Sequence, residues 1–102
     1  MGLKKQYLKS KPVCKVTFRL TAAESGFAES VQLVGDFNQW DQTVPPMRRL
    51  KNGSFTQTLN LEKDQRYAFR YLIDANRWEN DWQADAYLAS GMGSEENSIV
   101  VV

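Results

Sequence analysis

Trp40, Trp78 and Trp82 offer the most chemistry in this sequence, because each stands among polar, turn-forming neighbours. Trp40 lies between Asn38-Gln39 and Asp41, Trp78 between Arg77 and Glu79-Asn80, and Trp82 follows Asp81. A core tryptophan usually sits in an apolar or strictly alternating context, so these contexts favour partial exposure. Exposed large rings usually mark a recognition surface. A flat indole with amides and a cation nearby suits a sugar: the C–H face of a pyranose covers the ring, and its hydroxyls pair with amides and charges. Trp82 is expected to fold back as a lid on the core instead. Nucleobases stack on exposed rings too, but the acidic surroundings of Trp78 count against nucleic acid.

Catalysis has little to work with. The chain contains no histidine, which removes Ser-His-Asp and Cys-His machinery and the common zinc ligand sets. Gly91-Met92-Gly93-Ser94 lacks the spacing of a phosphate-binding loop. Carboxylates are available at Asp74, Glu79, Asp81 and Asp85, with Asp36 and Asp41 in an earlier loop. A glycosidase needs two of them facing each other across a substrate-orienting cleft, which one small sandwich rarely builds. Asp74, Asn76 and Glu79 fit no standard calcium loop, and Asp and Asn in turns usually satisfy backbone groups. No enzyme activity, metal or cofactor is therefore expected.

The 102 residues fit one domain. Net charge is +1, which gives no overall pull toward nucleic acid. The charge is uneven: Lys4, Lys5, Lys9, Lys11 and Lys15 open the chain without an acid among them, and after Arg77 only acids follow. Residues 1–11 are read as a flexible, lysine-rich tail, and 12–102 as the folded, carbohydrate-binding domain. A lone cysteine, Cys14, excludes an internal disulfide. Met1–Lys11 has no apolar signal core and no run approaches a membrane span. The expectation is a soluble, cytoplasmic protein without membrane contact.

A period of two dominates the pattern. Cys14, Val16, Phe18 and Leu20 alternate with polar residues, and so do Phe55, Leu59 and Leu61. Ser30–Gly35 is a shorter strand, with Val31 and Leu33 on one face. In Arg66–Ile73, the residues Tyr67, Phe69, Tyr71 and Ile73 share one face, and Arg66, Ala68, Arg70 and Leu72 the other. Phe37–Arg49 is read as loop, Glu62–Gln65 and Asp74–Arg77 as tight turns, Asn80–Asn97 as a long connection, and Ser98–Val102 as the closing strand. The one helical expectation is a short turn around Gln83–Ala89. These features predict an all-β, antiparallel sandwich.

The stretch Val34-Gly35-Asp36-Phe37-Asn38-Gln39-Trp40-Asp41 resembles a family signature. Pro46-Met47-Arg48, Gly53-Ser54-Phe55, Tyr67–Asp74, Trp78, Asn80-Asp81 and Glu96–Val101 follow in matching order. The similarity runs from Val31 to Val102. It is to the glycogen-binding domain of the AMP-activated kinase β-subunit and to the early-set domain of isoamylases and branching enzymes, carbohydrate-binding module family 48. The resemblance implies an immunoglobulin-like sandwich that binds α-1,4-linked glucans such as glycogen, starch and maltooligosaccharides without catalysis. A glycogen-metabolising enzyme is the protein partner it allows. It implies stacking by Trp40 and Trp78, and Arg70 at the place of a sugar-bonding lysine. Met92 falls near a leucine that reaches around the glucan, Ser94 near a threonine, and Glu96 or Asn97 near a sugar-binding asparagine. Two departures stand out: Ala75 replaces the usual turn glycine, and the turn before Trp78 is one residue longer, which would tilt that indole. Early-set domains inside debranching enzymes often pack on the catalytic barrel without holding sugar. The alternative function is accordingly a regulatory module that docks on an enzyme or kinase.

Overall fold

Alternating apolar residues set the two sheets. In β2 (Val13–Leu20) the residues Cys14, Val16, Phe18 and Leu20 are fully buried, while Lys15 and Arg19 face water. This strand pairs antiparallel with β5 (Phe55–Glu62), whose Phe55 and Leu61 point into the same core. Adding β1 (Gly2–Tyr7) and the two-residue β4 (Arg48–Arg49) gives a sheet of order β1-β2-β5-β4. The second sheet has the order β3-β6-β9-β8, from β3 (Val31–Gly35), β6 (Arg66–Ile73), β8 (Ala86–Ala89) and β9 (Glu96–Val101). A further strand, β7 (Arg77–Glu79), pairs with the end of β6. These assignments come from a computed structural model that describes residues 1–91 and 95–102. All pairings are antiparallel and the two sheets pack face to face, the sandwich that the periodicity predicts.

The core is largely aromatic. Phe69 meets Phe18 edge-on at 5.1 Å between centroids and Tyr71 at 5.8 Å, geometries that the ring quadrupoles favour. Phe37, from the loop after β3, reaches back to within 5.8 Å of Phe18 and 6.2 Å of Tyr67. Gly35 makes that loop possible. A Cβ there would lie 2.4 Å from the carbonyl oxygen of Ala68 and 2.8 Å from the Cβ of Phe69, inside van der Waals contact with a paired strand that cannot retreat.

One buried carboxylate organises the segment after β7. Asp81 is fully buried. Its Oδ2 accepts the Tyr71 hydroxyl at 2.7 Å and its Oδ1 the Gln83 N–H at 2.8 Å. Its own N–H donates to Ser98 Oγ, and its carbonyl accepts the Tyr87 hydroxyl. Asn80 completes the network, accepting from Ser98 Oγ and donating to the Glu96 carbonyl. A buried charge is tolerated only when it is satisfied in this way. The network fixes the end of β7 to β6 and β9.

Several expectations need correction. The lysine-rich start is not a loose tail, because Gly2–Tyr7 forms β1 and pairs with β2 from Arg19 to Cys14. Leu3 packs against the core, and Lys5 pairs with Asp85 at 2.7 Å; the density of lysines hides this alternation. The expected connection Asn80–Asn97 contains β8, so Gln83–Ala89 holds a strand and no helical turn. β8 is short and mostly exposed, which leaves little pattern to read. β9 starts at Glu96, two residues before the expected Ser98. Trp82 is 60% exposed and covers no core.

The Asp74-Ala75-Asn76 turn carries strain. Asp74 and Ala75 both adopt left-handed backbone, with φ of 49° and 60°, and the Asn76 N–H closes the turn on the Ile73 carbonyl at 3.1 Å. Asp74 is offset by long-range bonds: its Oδ1 accepts the N–H groups of Glu29 and Ser30, each at 3.0 Å. Ala75 has no such compensation, and a left-handed alanine costs about 1 kcal/mol. Ala75→Gly is therefore expected to raise the thermal unfolding midpoint by a few degrees, on the order of 4 °C. An unchanged or lowered midpoint would show that the turn is unstrained.

Candidate functional site

The groove that matters lies on the outer face of the second sheet. β6 presents Phe69 and Tyr71 inward, so Arg70 between them faces outward. On one side of β6, β7 places Trp78 opposite Leu72; Trp78 is 38% exposed. Asn97 of β9 and Trp40 of the loop after β3 complete the set. Trp40, Gln42, Arg70, Trp78, Ser90, Glu95 and Asn97 line one open groove of about 480 Å³, within the size range of small-ligand sites.

The loop that carries Trp40 is built by its own side chains. Asp36–Asn38 forms a single 3₁₀ turn, and Gln39 and Trp40 follow in left-handed conformation. Two consecutive non-glycine residues with positive φ persist only where surrounding bonds over-determine them. Here Asn38 accepts from the Gly35 N–H and donates to the Leu33 carbonyl. Asp36 spans the loop and the sheet: its Oδ1 accepts the Trp40 indole N–H at 2.8 Å, and its Oδ2 accepts the Ala68 N–H at 2.8 Å. The indole is thus held by its nitrogen. Beyond Trp40, the Gln32 amide donates to the carbonyls of Gln42 and Val44. Asp41 accepts both the N–H and the hydroxyl of Thr43, which holds its carboxyl below the ordinary range.

The groove floor is an oriented cation. Arg70 Nε donates to Asn97 Oδ1 at 2.8 Å, and Nη1 to Glu95 Oε2 at 3.3 Å. The arginine side chain is only 12% exposed, whereas that of Glu95 is 64% exposed. Because the Asn97 oxygen is committed to Arg70, the group it can offer a ligand is its NH₂. Arg70 keeps further N–H donors in a planar fork. Preset donors between aromatic walls can bind a neutral polyol. No group of acids and sulfur or imidazole ligands among the described residues is placed to hold a metal.

The structure brings Trp40, Arg70, Trp78 and Asn97 together around one groove. Ala75 and the longer turn leave Trp78 in the groove wall. Met92 and Ser94 lie outside the described residues. Sequence reasoning missed Gln42, Ser90 and Glu95 as lining residues and Asp36 as the anchor of Trp40. Asp36 could have been found, since it stands four residues before Trp40 within the signature.

Comparison with known proteins decides what kind of domain carries this groove. The family model described as carbohydrate-binding module 48 (isoamylase N-terminal domain) matches residues 7–88, most of the chain. The chain belongs to the carbohydrate-binding module 48 family. One relative is Protein PTST, chloroplastic, of Arabidopsis thaliana, which is 35% identical over 80 residues; the match covers 76% of this chain but 27% of the relative. The chain thus spans about a quarter of that protein's length.

Proposed function

We propose that this domain binds α-1,4-linked glucans non-catalytically, with one glucose ring on Trp40, another on Trp78, and Arg70 and Asn97 donating to hydroxyls between them. The observation that carries the reading is the shared groove: two indoles from separate elements flank a guanidinium fixed by Asn97 and Glu95. Membership of a carbohydrate-binding family supports a glucan ligand in general. Among the described lining residues the one acid is Glu95, exposed and paired with Arg70, which supports binding without cleavage.

The test is migration in a native gel cast with glycogen. The domain should be retarded in proportion to glycogen concentration, and Arg70→Ala should run nearly free. Equal migration with and without glycogen would contradict the reading.

A further inference from the structure

The outward faces of the two sheets differ in chemistry. The groove occupies the face of β6, β7 and β9. On the opposite side of the sandwich, the registers of β1, β2, β5 and β4 align three rows of outward residues: Gln6–Lys15–Asn60, Lys4–Thr17–Thr58 and Gly2–Arg19–Thr56–Arg48. Lys4, Lys15, Arg19 and Arg48 are all exposed, and none forms an ion pair among the described residues. The nearest acids are Glu24, paired with the Met1 amine, and Glu62, opposite Val13 at the far end. At the centre, Thr17 and Thr58 join hydroxyls at 3.0 Å. A shallow hollow of about 520 Å³ lies over this face, lined by Lys4, Thr17, Arg19 and Thr56 and also by Met1, Leu3 and the Glu24 that pairs with the Met1 amine.

We propose that this face docks an acidic polypeptide segment of a partner protein, independently of the groove. Four unpaired cations on a flat hydroxyl-rich lattice are complementary to carboxylates. An extended segment presents same-side carboxylates about every 7 Å, the spacing of Lys15, Thr17 and Arg19 along β2. The three rows contain no aromatic or large apolar side chain. These rows therefore lack the stacking platform of a single-strand nucleic-acid site, and the apolar residues beside them, Met1, Leu3 and Val13, are half-buried and do not project as a bilayer-inserting set. A long polyanion would also meet the acids of the remaining surface, since net charge is only +1. Because the two faces are back to back, sugar and partner are held at once.

The test titrates the isotopically labelled chain with a synthetic Glu-Ser repeat peptide at low salt, followed by NMR of its amides, in parallel with a short DNA duplex and phosphatidylserine vesicles. The peptide should shift the amides of Lys4, Lys15, Thr17, Arg19 and Thr58. Combining K4E, K15E and R19E should weaken it roughly tenfold or more, while maltoheptaose shifts the groove as in the parent chain. If the combined variant does not fold, Lys4→Glu alone should still weaken the peptide measurably. Shifts elsewhere, no shift, equal binding by the variants, or tighter binding of DNA or vesicles would overturn the proposal. Sugar titrations of the same sample read the groove separately, so failure of either face is distinguishable from failure of the other.

Discussion

Trp78→Ala is expected to weaken maltoheptaose binding about thirtyfold, on the order of 2 kcal/mol, as for the loss of an aromatic anchor at an interface. The unfolding midpoint should barely move. Trp78 is already 38% exposed and sits on a three-residue strand at the sheet margin, so its removal opens no core cavity. Trp40→Ala should weaken the sugar comparably but also lower stability. Its indole N–H is a partner of Asp36, which also holds the Ala68 N–H, and its truncation leaves one Asp36 oxygen to water. The contrast separates a stacking role from a packing role. Calorimetry with maltoheptaose and thermal unfolding on the same samples would measure both. Undiminished affinity in Trp78→Ala would remove that ring from the site.

Asp81→Ala is expected to cost about 3 kcal/mol or more, because it leaves the buried Tyr71 hydroxyl and the Gln83 N–H without partners. In a domain of this size that lowers the midpoint by roughly 12 °C, a large share of the total stability. Asp81→Asn should be milder, since an amide can still accept from Gln83 and meet the tyrosine. The same pair gives an alkaline signature. Burial, and then the adjacent Asp81 charge, push the Tyr71 hydroxyl well above its ordinary range. A raised value in the folded state means that stability from this group is complete below about pH 10 and falls as pH rises past the unfolded value toward the folded one. Tyr71→Phe should therefore be less stable at neutral pH and show a flatter alkaline limb. Parallel curves for the two proteins above pH 10 would contradict this account.

The strands most legible in the sequence are those half buried on one side. Cys14–Leu20 alternates strictly because one face meets the core and the other water; Tyr67–Ile73 follows the same period, but its outer-face Leu72 is buried, opposite Trp78. β1 is hard to read because a lysine stands on each of its faces: Lys5 lies on the inward register with Leu3 and Tyr7 and still reaches Asp85 with its ammonium. β8 is a four-residue edge strand with little burial, so no period constrains it. At the candidate site, Trp40 and Trp78 are readable as rings in polar, turn-rich contexts, whereas Arg70 and Asn97 follow only from the family resemblance. Gln42 and Glu95 are legible in neither way, since their part depends on a loop tethered by Gln32 and on the ion pair with Arg70. Trp82 is misread as a lid because the sequence does not show that the burial here belongs to Asp81, while the neighbouring indole faces water.

The most direct test of the central claim is tryptophan fluorescence of the intact chain during titration with maltoheptaose, with cellohexaose as the β-linked control. The account predicts a saturable change with the α-linked sugar alone, abolished when Trp40 and Trp78 are both replaced by alanine. No change up to millimolar maltoheptaose, or an equal response to cellohexaose, would contradict it.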